Sequence, residues 1–415
     1  MKVHFFSDCI FFAGCENMLV NFFNSKSFRK KFELSFCFVN RREYKDEFQK
    51  RVSFLPKQYP VNFHLFVDPF QRLYLRQVRL IKFLFFPLRL LGNVFFSFIF
   101  LLILYKQFKN VRPDYLHINN GGYPGALTAR VAAIAGKLAG IKNIIFIVNN
   151  LAVPYGKSLR LLDWPIDLMV SKSVSVFVTG SEFAANRLRD ILRLPRKKVI
   201  NIFNGIAPRP LSESRMQTLC RLNLELKAKP ILVGTVALMI PRKGHIYLLE
   251  AILSLVRKEK IFEGEVLFLL EGSGPAKHIL ESFVSSNKLE NFVRFIGHEK
   301  NVFNFMAILD FFVLPSISDE DFPNVILEAM SFGLPVISTR LAGIPDQIDD
   351  HINGLIVSPR DSEQLANAIL TLIKNKKKRE TMAKSASVKF VNKFMADHAI
   401  SSYIELYDSL EQCNV

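Results

Sequence analysis

The feature that most limits how this chain can fold is the alternation of short apolar runs with helical patterns from one end to the other. In the first half the runs are Val3–Phe6, Leu34–Val39, Tyr115–Ile118, Ile144–Val148, Val174–Thr179 and Val199–Ile202. In the second they are Ile231–Val236, Val266–Glu271, Val293–Phe295, Phe311–Leu314, Pro335–Ser338 and Gly354–Val357. They are continuous rather than interleaved with polar residues. A strand of that kind is buried on both faces, as in a parallel sheet layered between helices. The reading is therefore α/β. At 415 residues the chain also exceeds what one hydrophobic core supports, so two doubly wound, Rossmann-like domains facing a central cleft are expected. Segment 207–229, rich in proline and polar residues, reads as the linker. Residues 1–206 then form the N-terminal domain, 230–388 the second domain, and 389–415 a terminal helix packing back toward the first.

Five cysteines, Cys9, Cys15, Cys37, Cys220 and Cys413, lack paired spacing and a companion histidine cluster, which argues against a disulfide framework or structural zinc and implies a reducing compartment. Only Lys2 precedes an apolar stretch that Asp8 interrupts, so the N-terminus reads as a first strand rather than a signal peptide. The formal charge of +18 is uneven: residues 1–112 hold 19 Lys and Arg against 7 Asp and Glu. Arg72, Arg76, Arg79 and Lys82 share one helical face beside Leu73, Leu75, Leu80 and Ile81, and Pro87 is expected to kink or restart that helix. The run Leu90–Leu104 is then almost wholly apolar, but its 15 residues fall short of the roughly 17–25 that span a bilayer. Basic residues interleaved with phenylalanines favour an interfacial membrane helix over a core helix or a span for segment 72–105. The expected location is cytoplasmic, peripheral on the inner face of the cell membrane, with an anionic surface as partner. The lipid-like filling between the charges argues against nucleic acid.

The most chemically pointed segment is Pro315–Glu328, PSISDEDFPNVILE, in which Glu320 and Glu328 stand eight residues apart astride Pro323. Pro323 suits the first helical position, and Gly333 with Pro335 closes a helix over Asn324–Phe332. A diphosphate at such a helix mouth meets unpaired N–H groups and the positive end of the dipole, while carboxylates accept from sugar hydroxyls. A second basic turn, Pro241-Arg242-Lys243-Gly244-His245, follows the run ending at Val236. There Lys243 offers a point charge and Arg242 a bidentate fork to a phosphate.

Taken in order, these pieces resemble the retaining family-4 glycosyltransferases of the GT-B fold, of the bacterial surface-polysaccharide type. Two glutamates eight apart flank a Gly-Phe-Pro in that family; here Glu320-Asp321-Phe322-Pro323 has Asp321 for the glycine. Glu271-Gly272-Ser273-Gly274-Pro275 matches the family's Gly-x-Gly-Pro loop. Arg294-Phe295-Ile296-Gly297 resembles its base-recognising edge, and Ala342-Gly343-Ile344-Pro345-Asp346 completes the set. Phe12-Ala13-Gly14-Cys15-Glu16 is similar to its Gly-Gly-x-Glu loop with Ala13 for one glycine. The resemblance implies that Lys243 and Arg242 bind the diphosphate, Glu320 the transferred sugar, and Glu328 the ribose. Gly14, Gly272, Gly274, Phe295, Phe322, Pro323, Asn324 and Val325 would complete the nucleotide-sugar site.

Three departures stand against the pattern. Asn149-Asn150 occupies the place of a histidine near the sugar, Leu238 or Ala237 that of an arginine, and Ala207 that of an acid. Asn149 can hydrogen-bond a hydroxyl but cannot shuttle a proton near neutral pH. Asp319-Glu320-Asp321 imitates the acid-x-acid metal motif of the other large glycosyltransferase fold. That motif ends a strand in a single-domain fold, whereas this triplet precedes a helix late in a long chain, so no bound metal or other cofactor is expected. The implied reaction moves a sugar, with retention, from a nucleotide-diphosphate donor to a saccharide acceptor, expected to be lipid-linked, in polysaccharide or lipopolysaccharide assembly. A catalytically decayed membrane scaffold that keeps nucleotide binding, and a nucleotide-sugar epimerase, are the alternatives.

Overall fold

The computed structural model describes residues 1–412 apart from 11, 13, 63–85, 157–159, 225–228 and 300, with main chain alone at 86–91 and 93. Arg72, Arg76, Arg79, Lys82, Ala13 and Cys413 lie outside the described residues. The chain divides into two units, Met1–Ile202 with Ala399–Val415, and Phe203–His398.

In the first unit the strands are β1 (Lys2–Ser7), β2 (Glu33–Val39), β3 (Lys57–Val61), β4 (Tyr115–Asn120), β5 (Asn143–Val148), β6 (Val176–Thr179) and β7 (Val199–Asn201). They pair in parallel in the order β3-β2-β1-β4-β5-β6-β7. Along β5, Ile144, Phe146 and Val148 enter one core cluster and Ile145 and Ile147 another. Successive side chains point to opposite faces and both faces are covered, which is why the run is continuous in the sequence. One face carries helices Phe86–Val111, Leu127–Leu138 and Trp164–Ser173. The other is lined by Phe5, Phe22, Phe23, Phe36 and Phe48 and is closed by Tyr403 and Tyr407 of helix Ala396–Gln412.

The second unit holds β8 (Ile231–Val236), β9 (Val266–Glu271), β10 (Val293–Gly297), β11 (Phe311–Leu314), β12 (Val336–Thr339) and β13 (Gly354–Val357). Their order is β10-β9-β8-β11-β12-β13, all parallel. Each sheet reverses its winding once, between β1 and β4 and between β8 and β11. The loops leaving those strands flank the crevice where open α/β sheets bind ligands.

Several expectations are corrected. Segment 207–229 does not stand apart as a linker: it falls within the second unit and contains helix Arg215–Arg221. The signal was present, because Ser214 and Gln217 form a reciprocal capping box. Strand β3 was not among the apolar runs; it is a half-exposed edge strand with Pro60 in it, and edge strands need no continuous apolar face. Pro323 occupies the N-cap rather than the first helical position, and its helix runs Asn324–Ser331. Residues 389–415 are not one returning helix: Phe390–Phe394 is a π-helical turn packed in the second unit, and the first unit takes over at Ala399.

Candidate active site

At the reversal of the second sheet, the loops after β8 and β11 are joined main chain to main chain. Ile317 N–H donates to the Arg242 carbonyl over 2.8 Å. Residues Pro241–Lys243 form a short 3-10 turn, ended by Gly244 in the left-handed region at φ +70°. A Cβ on Gly244 would stand 1.9 Å from the Pro315 carbonyl oxygen, so only glycine permits this approach. The turn thereby delivers two cations to one buried carboxylate. The Lys243 ammonium donates to Glu320 Oε1, as do Arg242 Nη1 at 3.3 Å and Ser316 Oγ at 3.0 Å. Arg242 Nη1 also donates to the Asp319 carbonyl at 3.1 Å. Glu320 is 7% exposed, a burial that a carboxylate tolerates only with donors of this kind. His245 opens the following helix. It is buried, neither ring nitrogen has a hydrogen-bond partner among the described residues, and burial followed by the Lys243 charge holds its pKa down to about 4.

Helix Asn324–Ser331 buries Ile326, Leu327, Ala329 and Met330 and leaves Asn324, Val325 and Glu328 half-buried. Asn324 and Glu328, four apart, share that second face. Asn204 Nδ2 donates to Asn324 Oδ1 at 2.8 Å, pinning the Asn204-Gly205 segment to the helix mouth. Phe322 is a core residue: its ring stacks on Phe203 at 5.2 Å and 11° and meets Phe394 edge-on at 5.8 Å. Its main chain, not its ring, is what a ligand can meet. The Gly343 N–H donates to the Asp321 carbonyl at 3.0 Å, and Gln347 Nε2 to the Pro323 carbonyl at 3.1 Å. These bonds hold 342–346 against the same mouth.

Gly272 and Gly274 serve the approach of one loop to another. Their φ values are +133° and +157°, and a Cβ on each would lie 2.0 Å from the Ala237 carbonyl oxygen and 2.5 Å from that of Met239. The loop after β9 thus rests on the loop that leads to Lys243, with Met239 N–H donating to the Ser273 carbonyl at 2.9 Å. Phe295 lies on the edge strand β10 and lines a cavity of about 370 Å³ with Arg294, Ile296, Leu224 and Arg221. Leu238, at the place of the family's arginine, is 60% exposed.

In the first unit, Gly14 opens helix Gly14–Asn24 beside the loop after β1. Two residues on, Glu16 is buried and accepts from Ser7 Oγ at 2.8 Å, Asn119 Nδ2 at 2.9 Å and the Tyr44 hydroxyl. Burial nevertheless outweighs these donors and raises its pKa above the usual carboxylate value. Asn149, the residue after β5, joins this network. Its amide donates to Asn119 Oδ1 and to the Asn120 carbonyl, each at 2.8 Å. Both amide hydrogens are thereby engaged, so toward a ligand Asn149 can only accept.

The structure therefore brings Lys243, Arg242 and Glu320 together in the second unit, with the Asn324 helix in the same unit, and places Gly14 and Asn149 in the first. Sequence reasoning missed Ser316, which has no motif of its own, and the bracing by Asn119 and Tyr44, whose partners are remote in the chain. Among the described residues, the one set of three candidate ligand atoms within 4.8 Å of one another is Cys9, Cys15 and Glu16, not Asp319–Asp321.

Residues 57–209 match the family described as Glycosyltransferase Family 4, and residues 230–375 that described as Glycosyl transferases group 1. The lipopolysaccharide core biosynthesis glycosyltransferase LpsE of Rhizobium meliloti is 29% identical over 253 residues, 61% of this chain and 70% of its own. The UDP-Gal:alpha-D-GlcNAc-diphosphoundecaprenol alpha-1,3-galactosyltransferase of Escherichia coli is 24% identical over 311 residues, 74% of this chain and 78% of its own. Among solved structures, Anabaena HepE in complex with UDP superposes with a TM-score of 0.74 at 18% identity, covering 99% of this chain and 100% of that one. At that identity the likeness speaks for the fold. The two family matches and the sheet topology lead to one conclusion: this chain is a glycosyltransferase of family 4, built on the GT-B fold.

Proposed function

We propose that the protein transfers a sugar, with retention, from a nucleotide-diphosphate donor to a lipid-linked saccharide during assembly of cell-surface polysaccharide or lipopolysaccharide. The observation that supports it most is the meeting of Lys243 and Arg242 with Glu320 at the reversal of the second sheet. In this reading the two cations and the Asn324 helix mouth hold the diphosphate and stabilise it as it leaves. Glu320 accepts from hydroxyls of the transferred sugar, Glu328 from the ribose, and the β10 edge at Phe295 meets the base. Glu320 is a poor covalent nucleophile, because three donors already stabilise its charge. Retention then follows a front-face route in which the leaving diphosphate takes the acceptor's proton.

The pathway reading draws support from the relatives, whose names speak of lipopolysaccharide core biosynthesis and of a diphosphoundecaprenol acceptor. A lipid-borne acceptor fits the surface of the first unit. Helix Phe86–Val111 packs Phe100, Leu104 and Phe108 inward and exposes Val94, Phe95, Phe98 and Leu102. It lies against helix Leu127–Leu138, which lies against Trp164–Ser173, and that third element exposes Trp164, Leu168 and Met169. Exposed tryptophan and aliphatic side chains on adjacent helices suit an interfacial contact. The segment is thus both a core helix on one face and a candidate membrane surface on the other. The proposed location remains peripheral, on the cytoplasmic face.

The test is a transfer assay with uridine, guanosine and adenosine diphosphate sugars and a lipid-linked saccharide, reading product and anomeric configuration by NMR. A retained anomer on the lipid-linked product is expected. Nucleotide binding without transfer to any acceptor would favour a scaffold and defeat the enzymatic reading, and an inverted product would defeat the front-face route.

A further inference from the structure

We propose that Cys9 and Cys15 form a reversible intrachain disulfide, a modification site separate from the Lys243–Glu320 pair. Cys9 follows β1 and Cys15 lies in the first turn of helix Gly14–Asn24, and their sulfurs stand 3.8 Å apart, in contact without a bond. Both are partly exposed and open to a small oxidant, whereas Cys37 is buried in the core. A disulfide would bring the two sulfurs to about 2 Å.

The same sulfurs and Glu16 form the set of candidate metal ligands, but the carboxylate is already committed. It accepts from Ser7, Asn119 and Tyr44, and Cys15 Sγ reaches it only at 4.0 Å. A disulfide uses the two sulfurs and leaves that network in place.

The chemistry balances with a peroxide as oxidant. Cys15, partly exposed in the first turn of its helix, is the sulfur assigned to meet the oxidant first. The Cys15 sulfur attacks one peroxide oxygen and the O–O bond breaks. Cys15 becomes a sulfenic acid, and the released hydroxide takes up the thiol's proton as water. Cys9 sulfur then attacks Cys15 sulfur, the S–O bond breaks, and hydroxide leaves with the Cys9 proton as a second water. Two thiols and one peroxide yield one disulfide and two waters; a dithiol reverses the change. Transient disulfides of this kind occur in reducing compartments as redox sensors. The bond would tie the end of β1 to the helix that begins at Gly14. If Gly14 faces substrate, as the family resemblance implies, the oxidised form should be slower in transfer.

The experiment uses the full chain carrying Cys220→Ser and Cys413→Ser, treated with hydrogen peroxide and then with dithiothreitol. A mass loss of about 2 Da, mapped to a peptide joining Cys9 to Cys15 and restored by dithiothreitol, is expected. Cys9→Ser and Cys15→Ala should each abolish the loss, and circular dichroism checks that both fold. Cys9 and Cys15 both still titratable after treatment, or a gain of about 16 or 32 Da on one sulfur, overturns the proposal. Protection of both thiols by zinc, with no mass loss under peroxide, overturns it in favour of a metal site. The mass readout does not depend on the proposed function. A disulfide that forms without slowing transfer would keep the modification site and remove its link to Gly14.

Discussion

Lys243 and Glu320, 77 residues apart in the chain, are joined ammonium to carboxylate in the second unit, with Arg242 closing on the same oxygen at 3.3 Å. The pair concentrates the site's charge where two loops meet. On the proposed function, Lys243→Ala removes a phosphate contact that matters most as the diphosphate leaves, and Glu320→Gln a charge that the sugar uses and that pairs with both cations. Each is expected to lower kcat/KM by at least about 10²-fold. Nucleotide release assays check this, with circular dichroism to confirm folding. Near-native turnover in both variants would remove the site.

Gly244 is the hinge on which that pairing depends. In Gly244→Ala the new methyl meets the Pro315 carbonyl oxygen at 1.9 Å while the residue stays at φ +70°. The loops must part, at a cost of about 1–3 kcal/mol in stability. Urea denaturation should show it, together with weaker nucleotide binding. An unchanged midpoint would mean that the two loops do not need their close contact.

Asn149→Ala removes both donors that brace Asn119 and Asn120. Stability should fall by about 1–3 kcal/mol, since two acceptors lose their partners. Turnover should weaken without vanishing, because the amide hydrogens face the protein and leave only the carbonyl for a ligand. Complete loss of turnover at full stability would instead give Asn149 a direct part in transfer.

His245, His4 and His117 are buried, and burial lowers their pKa from 6.5 to about 4, about 3 and about 3 respectively. Each takes up its proton mainly in the unfolded chain. Their contribution to stability is therefore full above pH 6.5 and is lost as pH falls through the folded values. Asp8, raised to about 6 mainly by burial, acts in the opposite sense and loses its contribution as pH rises. His245→Leu should flatten the fall in stability between pH 6.5 and 4 relative to the parent. It should cost little at pH 7, since among the described residues neither ring nitrogen has a hydrogen-bond partner to lose. Denaturant melts across that range decide, and identical slopes would dismiss the buried neutral ring.

Phe95 and Phe98 are 62% and 58% exposed on helix Phe86–Val111. Replacing both with Ser should leave the melting temperature within about 2 °C, because exposed side chains contribute little to the core. The lipid-bound fraction in liposome flotation should drop severalfold. Unaltered flotation, or binding indifferent to anionic lipid, would count against a membrane surface here.

Much of the architecture was legible in the order of residues. Continuous apolar runs reported strands buried on two faces, and Ile144–Val148 divides its side chains between two cores. The edge strand Lys57–Val61 and the helix Arg215–Arg221 were not read. One lacks an apolar face because it lies at the rim, and the other hides its capping box in a stretch that looks like a linker. Phe322 was read as a binding residue from its motif, and its ring proved to be packed between Phe203 and Phe394.

By itself the sequence determined the layering, because burial periodicity is a local property that each strand and helix writes into its own residues. It also marked Lys243, Arg242 and Glu320 as charges in search of a ligand. Only the tertiary structure decided that they share one carboxylate oxygen, and that Asn149 turns its amide inward. Such contacts depend on which strands become neighbours: β8 lies beside β11 only because the winding reverses there, and no local pattern in either segment encodes that adjacency.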